Sequence, residues 1–152
     1  MDRTELLKRF TIHLGYSEAQ AAALAADEPR ARFVEALGTA GAEYLILAEV
    51  LRAENCNSGY VPGDRFVLDV AGNLISKRCP QRLCVFLVSQ LALPVALMNE
   101  RLCAGLEPSG IFFMRQVHCL DTGAACKGYG GVLVEISAIR RRDFLKAGPD
   151  GK

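Results

Sequence analysis

The sequence predicts an α+β protein. An N-terminal helical segment spans residues 1–42. A β-β-α(α)-β-β domain with a small antiparallel sheet spans 43–142, and a flexible tail follows over 143–152. Three observations predict this. Apolar residues recur at three- and four-residue spacing through the first forty positions, as in amphipathic helices. The middle and the end carry short apolar or β-branched runs separated by Gly, Pro and Asn turns. Between those runs lies a longer apolar stretch, Leu83 to Met98, that suits a buried helix.

The helices come first. Leu6, Leu7, Phe10 and Leu14 form one stripe, and Gly15 stops it. His13 lies beside that stripe as a boundary residue. Ser17 and Gln20 fit a capping box that opens an alanine-rich helix to about Ala26. Asp27-Glu28-Pro29 starts a third helix, with Phe33, Val34 and Leu37 as its packing face, and Gly38 and Gly41 loosen its end.

Strands follow. Tyr44 to Val50 is a continuous apolar run and reads as a buried strand. Asn55 to Gly59 is a loop, and Val61-Pro62-Gly63-Asp64 has the proline and glycine of a type II turn. Arg65 to Val70 alternates as a half-buried strand and turns at Ala71-Gly72-Asn73. Pro80 suits a first helical position, which puts Cys79 at the cap of the core helix. Pro94 kinks that helix or begins a second one, which runs to about Cys103 and ends at Gly105. Ile111 to Val117 and Val132 to Ile139 read as an antiparallel pair joined by the wide loop His118–Gly131. Arg140-Arg141-Arg142 reads as a solvated strand end.

Composition narrows the function classes. With 51% apolar and 23% charged residues, 152 residues make one globular unit and not a disordered chain. A net charge of +1 supplies no field for nucleic acid or anionic membrane, and the chain has no Trp for base stacking. The apolar run is shorter than the ~20 residues of a spanning helix. No nucleic-acid or membrane partner is therefore expected. The polar start Met1–Glu5 has no apolar signal core, which points to a cytoplasmic protein. Thiols stay reduced there, so the six cysteines point to metal, catalysis or packing before disulfides.

Cys56, Cys79, Cys119 and Cys126 lie in loops or at the start of an element, Cys84 lies just inside the core helix, and Cys103 reads as a core residue. Thiolates converging from such turns suit zinc or an iron–sulfur cluster, although no Cys-x-x-Cys is present. Thiol catalysis is the alternative. Cys79 would sit at a helix N-terminus; Cys119 adjoins His118, but neighbours on an extended chain point to opposite faces, so His118, oriented by Asp121, would more easily act as base for a thiol of another segment such as Cys79, Cys84 or Cys56. Gly128-Tyr129-Gly130-Gly131 precedes a strand and reads as turn geometry, with Tyr129 placed to cover a site.

The strand ending in Cys56, Gly63-Asp64-Arg65-Phe66, Gly72-Asn73-Leu74, Cys79-Pro80, Leu83-Cys84 and the Cys119…Cys126 loop carry a resemblance over residues 44–139. The chain resembles a group of small, uncharacterised bacterial proteins marked by cysteines and a Gly-Asp-Arg-Phe strand start. Shorter members have Cys-Pro-Asp where this chain has Cys119-Leu120-Asp121. The resemblance implies no activity. It implies that Cys56, Cys84, Cys119 and Cys126 act together, with Cys79 and Cys103 incidental.

Three readings follow. The first is a metal- or iron–sulfur-binding accessory or redox protein with Cys56, Cys84, Cys119 and Cys126 as ligands and His118 as a substitute. The second is a small thiol enzyme using Cys119, His118 and Asp121. The third is a structural subunit of a bacterial enzyme complex, with the N-terminal helices joining a protein partner or a second copy.

Overall fold

The structure, a computed structural model, describes residues 2–146. It is α+β: three N-terminal helices precede a four-stranded antiparallel sheet packed against helices. The helices are α1 (Arg3–Leu14), α2 (Glu18–Ala26) and α3 (Glu28–Glu43). Gly15 ends α1 in the left-handed conformation at φ 68°. Ser17 and Gln20 form the reciprocal capping box at α2. Asp27 caps α3 by accepting from the Arg30 amide at 3.2 Å, and Pro29 sits in the first turn. Glu28 takes Arg3 at 2.6 Å and Arg32 at 2.8 Å, clasping α1 to α3. The third helix does not loosen at Gly38 and Gly41 but runs through both to Glu43. A Cβ at Gly38 would stand 2.7 Å from Leu6, so glycine there lets α1 lie close against α3.

The sheet consists of β1 (Tyr44–Glu54), β2 (Arg65–Leu68), β3 (Gln116–His118) and β4 (Gly131–Arg140), in the order β2-β1-β4-β3. The first strand is central and pairs with both β2 and β4, with a register shift between Val50 and Arg52. One face of the sheet buries Ile46, Ala48, Val50, Phe66, Val134 and Ile136 in the main core. The other buries Leu45, Leu47 and Val67 under Ile75, Ile139 and Phe144. The unbroken apolar run of β1 thus has a physical reason: both of its faces are covered. Gly63, at φ 93°, supports the Val61–Asp64 turn, which closes with a 3.1 Å bond from the Asp64 amide to the Val61 carbonyl.

Two expectations are corrected, and the alternatives at Pro94 are decided. The core helix does not begin at Cys79-Pro80. Cys79 ends a short turn at Ser76–Arg78, and α4 (Val85–Val88) begins after Cys84. Of the two alternatives at Pro94, the structure has the second helix: a tight turn at Ser89–Leu91 separates α4 from α5 (Ala92–Cys103), and Pro94 falls in the first turn of α5. The strand expected over 111–117 is reduced to Gln116–His118, because Met114 takes a positive φ of 59° and breaks the extended run. Helical conformation over Val85–Cys103 is long and apolar enough by length and composition to cross a membrane. Its Leu87, Leu91, Val95, Met98 and Leu102 are buried in the main core.

The chain end also differs. Arg140 closes β4 and pairs with Glu43 at 3.3 Å, and Arg141 begins α6 (Arg141–Lys146) and donates to the Gly41 carbonyl at 2.7 Å. Residues 143–146, expected in a flexible tail, are part of that helix. The rest of the expected tail, 147–152, lies outside the described residues.

Candidate functional site

One end of the sheet gathers three cysteines. The first comes from the loop after β1, where Asn55 turns the chain in the left-handed region at φ 48° and the Gly59 amide closes onto the Cys56 carbonyl at 2.9 Å. Tyr60 follows, buried and edge-on to Phe66 with ring centroids 5.2 Å apart. Its hydroxyl donates to the Arg82 carbonyl at 2.8 Å and accepts from the Cys84 amide at 2.8 Å. One phenol thus fixes the approach to α4 and sets Cys84 at its N-cap. Burial pushes the Tyr60 hydroxyl above its usual range, against smaller opposing effects of its hydrogen bonds.

The third cysteine extends β3. The Cys119 amide donates to the Val132 carbonyl at 2.9 Å, and the Val132 amide donates back to the Cys119 sulfur at 3.3 Å. The next amide, Leu120, donates to the Phe86 carbonyl at 3.1 Å and ties this strand end to α4.

Asp121 then organises the long loop. Its carboxylate accepts from the Gly123 amide at 2.9 Å and the Tyr129 amide at 3.0 Å. The Gly123 amide, then those of Tyr129 and Gly130 and the charge of His118, hold its carboxyl below the usual range against partial desolvation. Three of the loop's glycines stand at close approaches. A Cβ at Gly128 would collide with the Asp121 carboxylate, one at Gly130 with the Glu54 and Asn55 carbonyls, and one at Gly131 with the His118 ring at 2.7 Å.

These segments border a partly open cavity of about 80 Å³ lined chiefly by apolar surface. Cys56, Cys84 and Cys119 all border it, with Tyr60, Phe86, Asp121 and Tyr129. All six cysteines are free. Cys126 is exposed on a short turn at Ala124–Cys126 and is not among the lining residues. His118 is not among them either. Val117 faces the core, so strand alternation turns His118 outward, where its Nδ1 lies 2.8 Å from the Cys119 carbonyl. A carbonyl only accepts, so Nδ1 carries the proton in that bond.

The structure therefore brings Cys56, Cys84 and Cys119 to one cavity and leaves Cys126 and His118 outside it. Asp121 is at the cavity, with its carboxylate occupied by backbone amides. Cys79 lies elsewhere, its sulfur 3.4 Å from the Val67 amide, and burial pushes its thiol up. Burial, with Glu100 nearby, does the same at Cys103. Among the described residues no group of three His, Cys, Asp or Glu side chains is arranged to hold a metal ion. Tyr60 is a site residue that sequence reasoning missed. Its signal, an aromatic in a polar loop just before the Val61–Asp64 turn, does not reveal a partner 24 residues away.

No protein-family model, curated protein or solved structure matches the chain.

Proposed function

We propose that the protein is a thiol-dependent redox protein in which Cys56, Cys84 and Cys119 perform thiol–disulfide exchange with a ligand at their shared cavity. The supporting observation is convergence: three thiols carried by three separate segments border one small cavity. In the first step a cavity thiolate attacks one sulfur of the ligand's disulfide. A protein–ligand S–S bond forms, the ligand's S–S bond breaks, and the departing thiolate takes up a proton. A second cavity thiol then loses its proton and attacks the protein sulfur of the mixed disulfide. The other half of the ligand leaves as a thiol, and a protein disulfide remains. Two electrons have passed from the protein dithiol to the ligand, and an external dithiol restores the starting state.

The test is equilibration of the full chain with mixtures of oxidised and reduced dithiothreitol, followed by trapping of thiols and mass spectrometry. A reversible disulfide among Cys56, Cys84 and Cys119 is expected, with Cys79, Cys103 and Cys126 remaining thiols. Oxidation spread evenly over all six, or no internal disulfide at any ratio, defeats the reading.

Binding of zinc or an iron–sulfur cluster by the same three thiols is the second reading, favoured by the same convergence. Sulfurs sharing one zinc ion lie ~4 Å apart. No group of three ligands is so arranged among the described residues, so this reading requires the cavity walls to close on the ion. Elemental analysis and absorption spectroscopy of anaerobically purified protein separate the two. Stoichiometric metal that protects Cys56, Cys84 and Cys119 from alkylation selects the second.

A further inference from the structure

We infer that the ligand of the thiol cavity is an uncharged, apolar, cysteine-containing segment of a polypeptide and not a small anionic thiol compound such as glutathione; this rests on the thiol-exchange reading above. Size is the first argument. The cavity measures about 80 Å³, roughly half of the ~150 Å³ that encloses a benzene. It admits a group the size of one small side chain, so the bulk of any ligand rests on the rim.

The rim is apolar. Phe86 and Tyr129 line the cavity yet remain 54% and 68% exposed. Leu120, 57% exposed, is joined to Phe86 through its backbone bond. Leu83 and Val85, also exposed, flank Cys84 in sequence. Single exposed apolar residues are ordinary, but these adjoin a cavity that carries three thiols.

Charge is the third argument. Asp121 is the carboxylate among the lining residues, its carboxyl held below the usual range by the Gly123 amide first, and among the described residues no Lys or Arg lines the cavity. A glutathione carboxylate would find no cation within the cavity lining and one anion to repel it. An apolar peptide segment meets neither obstacle and covers the rim.

The reduced full chain is mixed separately with glutathione disulfide, with the disulfide of a capped Leu-Cys-Phe peptide, and with diethyl disulfide. Oxidation of Cys56, Cys84 and Cys119 is followed by mass spectrometry, and each rate is divided by that of N-acetylcysteine with the same probe. The peptide disulfide is expected to react ~10-fold or more faster than glutathione disulfide on this scale. Phe86→Ser and Leu120→Ser are each expected to lower that ratio toward one. Both side chains are more than half exposed, and circular dichroism checks each fold, so either variant alone suffices.

Equal normalised rates, or glutathione disulfide reacting fastest, overturn the inference while leaving thiol exchange standing. Diethyl disulfide matching the peptide, with the rim variants unchanged, replaces the polypeptide by a small apolar molecule and also overturns it. Failure of all three probes to oxidise the cavity thiols removes the thiol-exchange reading itself.

Discussion

Cys79 and Cys119 stand in two different regions with their sulfurs in nearly the same bond. Each faces a strand amide, Val67 at 3.4 Å for Cys79 and Val132 at 3.3 Å for Cys119. Both pack against the main core. The difference lies on the other side of the sulfur. Cys79 belongs to a short segment laid along the β2 edge, whereas Cys119 borders a cavity shared with Cys56 and Cys84. A thiol beside a strand amide is a packing solution open to any cysteine at a sheet edge. Vacant volume and further thiols distinguish a site from that solution.

The largest effect is expected from removing the cavity wall. Leu87 is fully buried and lines the cavity, so Leu87→Ala should cost ~2–5 kcal/mol in urea unfolding. If the cavity is a functional space, the surviving fold should also accept bulkier alkylating agents at Cys119 but not at Cys79. Gly130→Ala comes next. Its Cβ would meet the Glu54 and Asn55 carbonyls, which are backbone and cannot rotate away, so a loss of ~1–3 kcal/mol or more is expected. The cavity thiols should change their alkylation rates in that variant while Cys79 keeps its own.

Tyr60→Phe sharpens the comparison without touching a thiol. It leaves the Cys84 amide and the Arg82 carbonyl without their partner, a cost of ~1–3 kcal/mol if neither recruits water. Cys84 should then label faster, and Cys79 should not.

A pH series tests the two thiols raised by burial. Burial raises the thiols of Cys79 and Cys103, so both should need more alkaline solution than a free cysteine, with its pKa of ~8.5, before they alkylate. An acid whose pKa is raised in the fold keeps its proton longer there than in the unfolded chain. The contribution of these two thiols is full below the ordinary thiol pKa and is lost as pH rises through the raised one. A protein whose unfolding midpoint rises across that alkaline interval would contradict the assignment.

Much of the fold was legible because it rests on local chemistry. The Ser17–Gln20 capping box, the left-handed stop at Gly15 and the Val61–Asp64 turn need only neighbours a few residues away. What escaped the sequence depends on distant partners. Pro80 advertises a helix start, but the stretch from Cys79 to Cys84 is held at its two ends by β2 and by the Tyr60 hydroxyl, which delays the helix to Val85. Gly38 looks like a helix breaker until Leu6 is seen filling the space a Cβ there would need. The candidate site divides in the same way. Loop position identifies Cys56 and Cys119 as thiols able to converge, and it marks Cys126 equally. Only the course of the long loop, turned by Gly123 at φ 81° and closed on Asp121, carries Cys126 away from the cavity.

Cys126→Ser therefore gives the smallest expected effect and the sharpest test within the loop. Its side chain is exposed, and the bonds around it are backbone ones: its amide reaches the Gly123 carbonyl at 3.0 Å, and its carbonyl accepts from the Thr122 hydroxyl at 3.4 Å. Serine preserves that backbone, so stability should stay within ~0.5 kcal/mol. Disulfide formation among Cys56, Cys84 and Cys119 should be unchanged, whereas Cys119→Ser should remove one of its partners. Equal effects of the two substitutions would mean that the loop rearranges in solution to bring Cys126 to the cavity, and the four-cysteine set implied by the resemblance would then replace the three-thiol site.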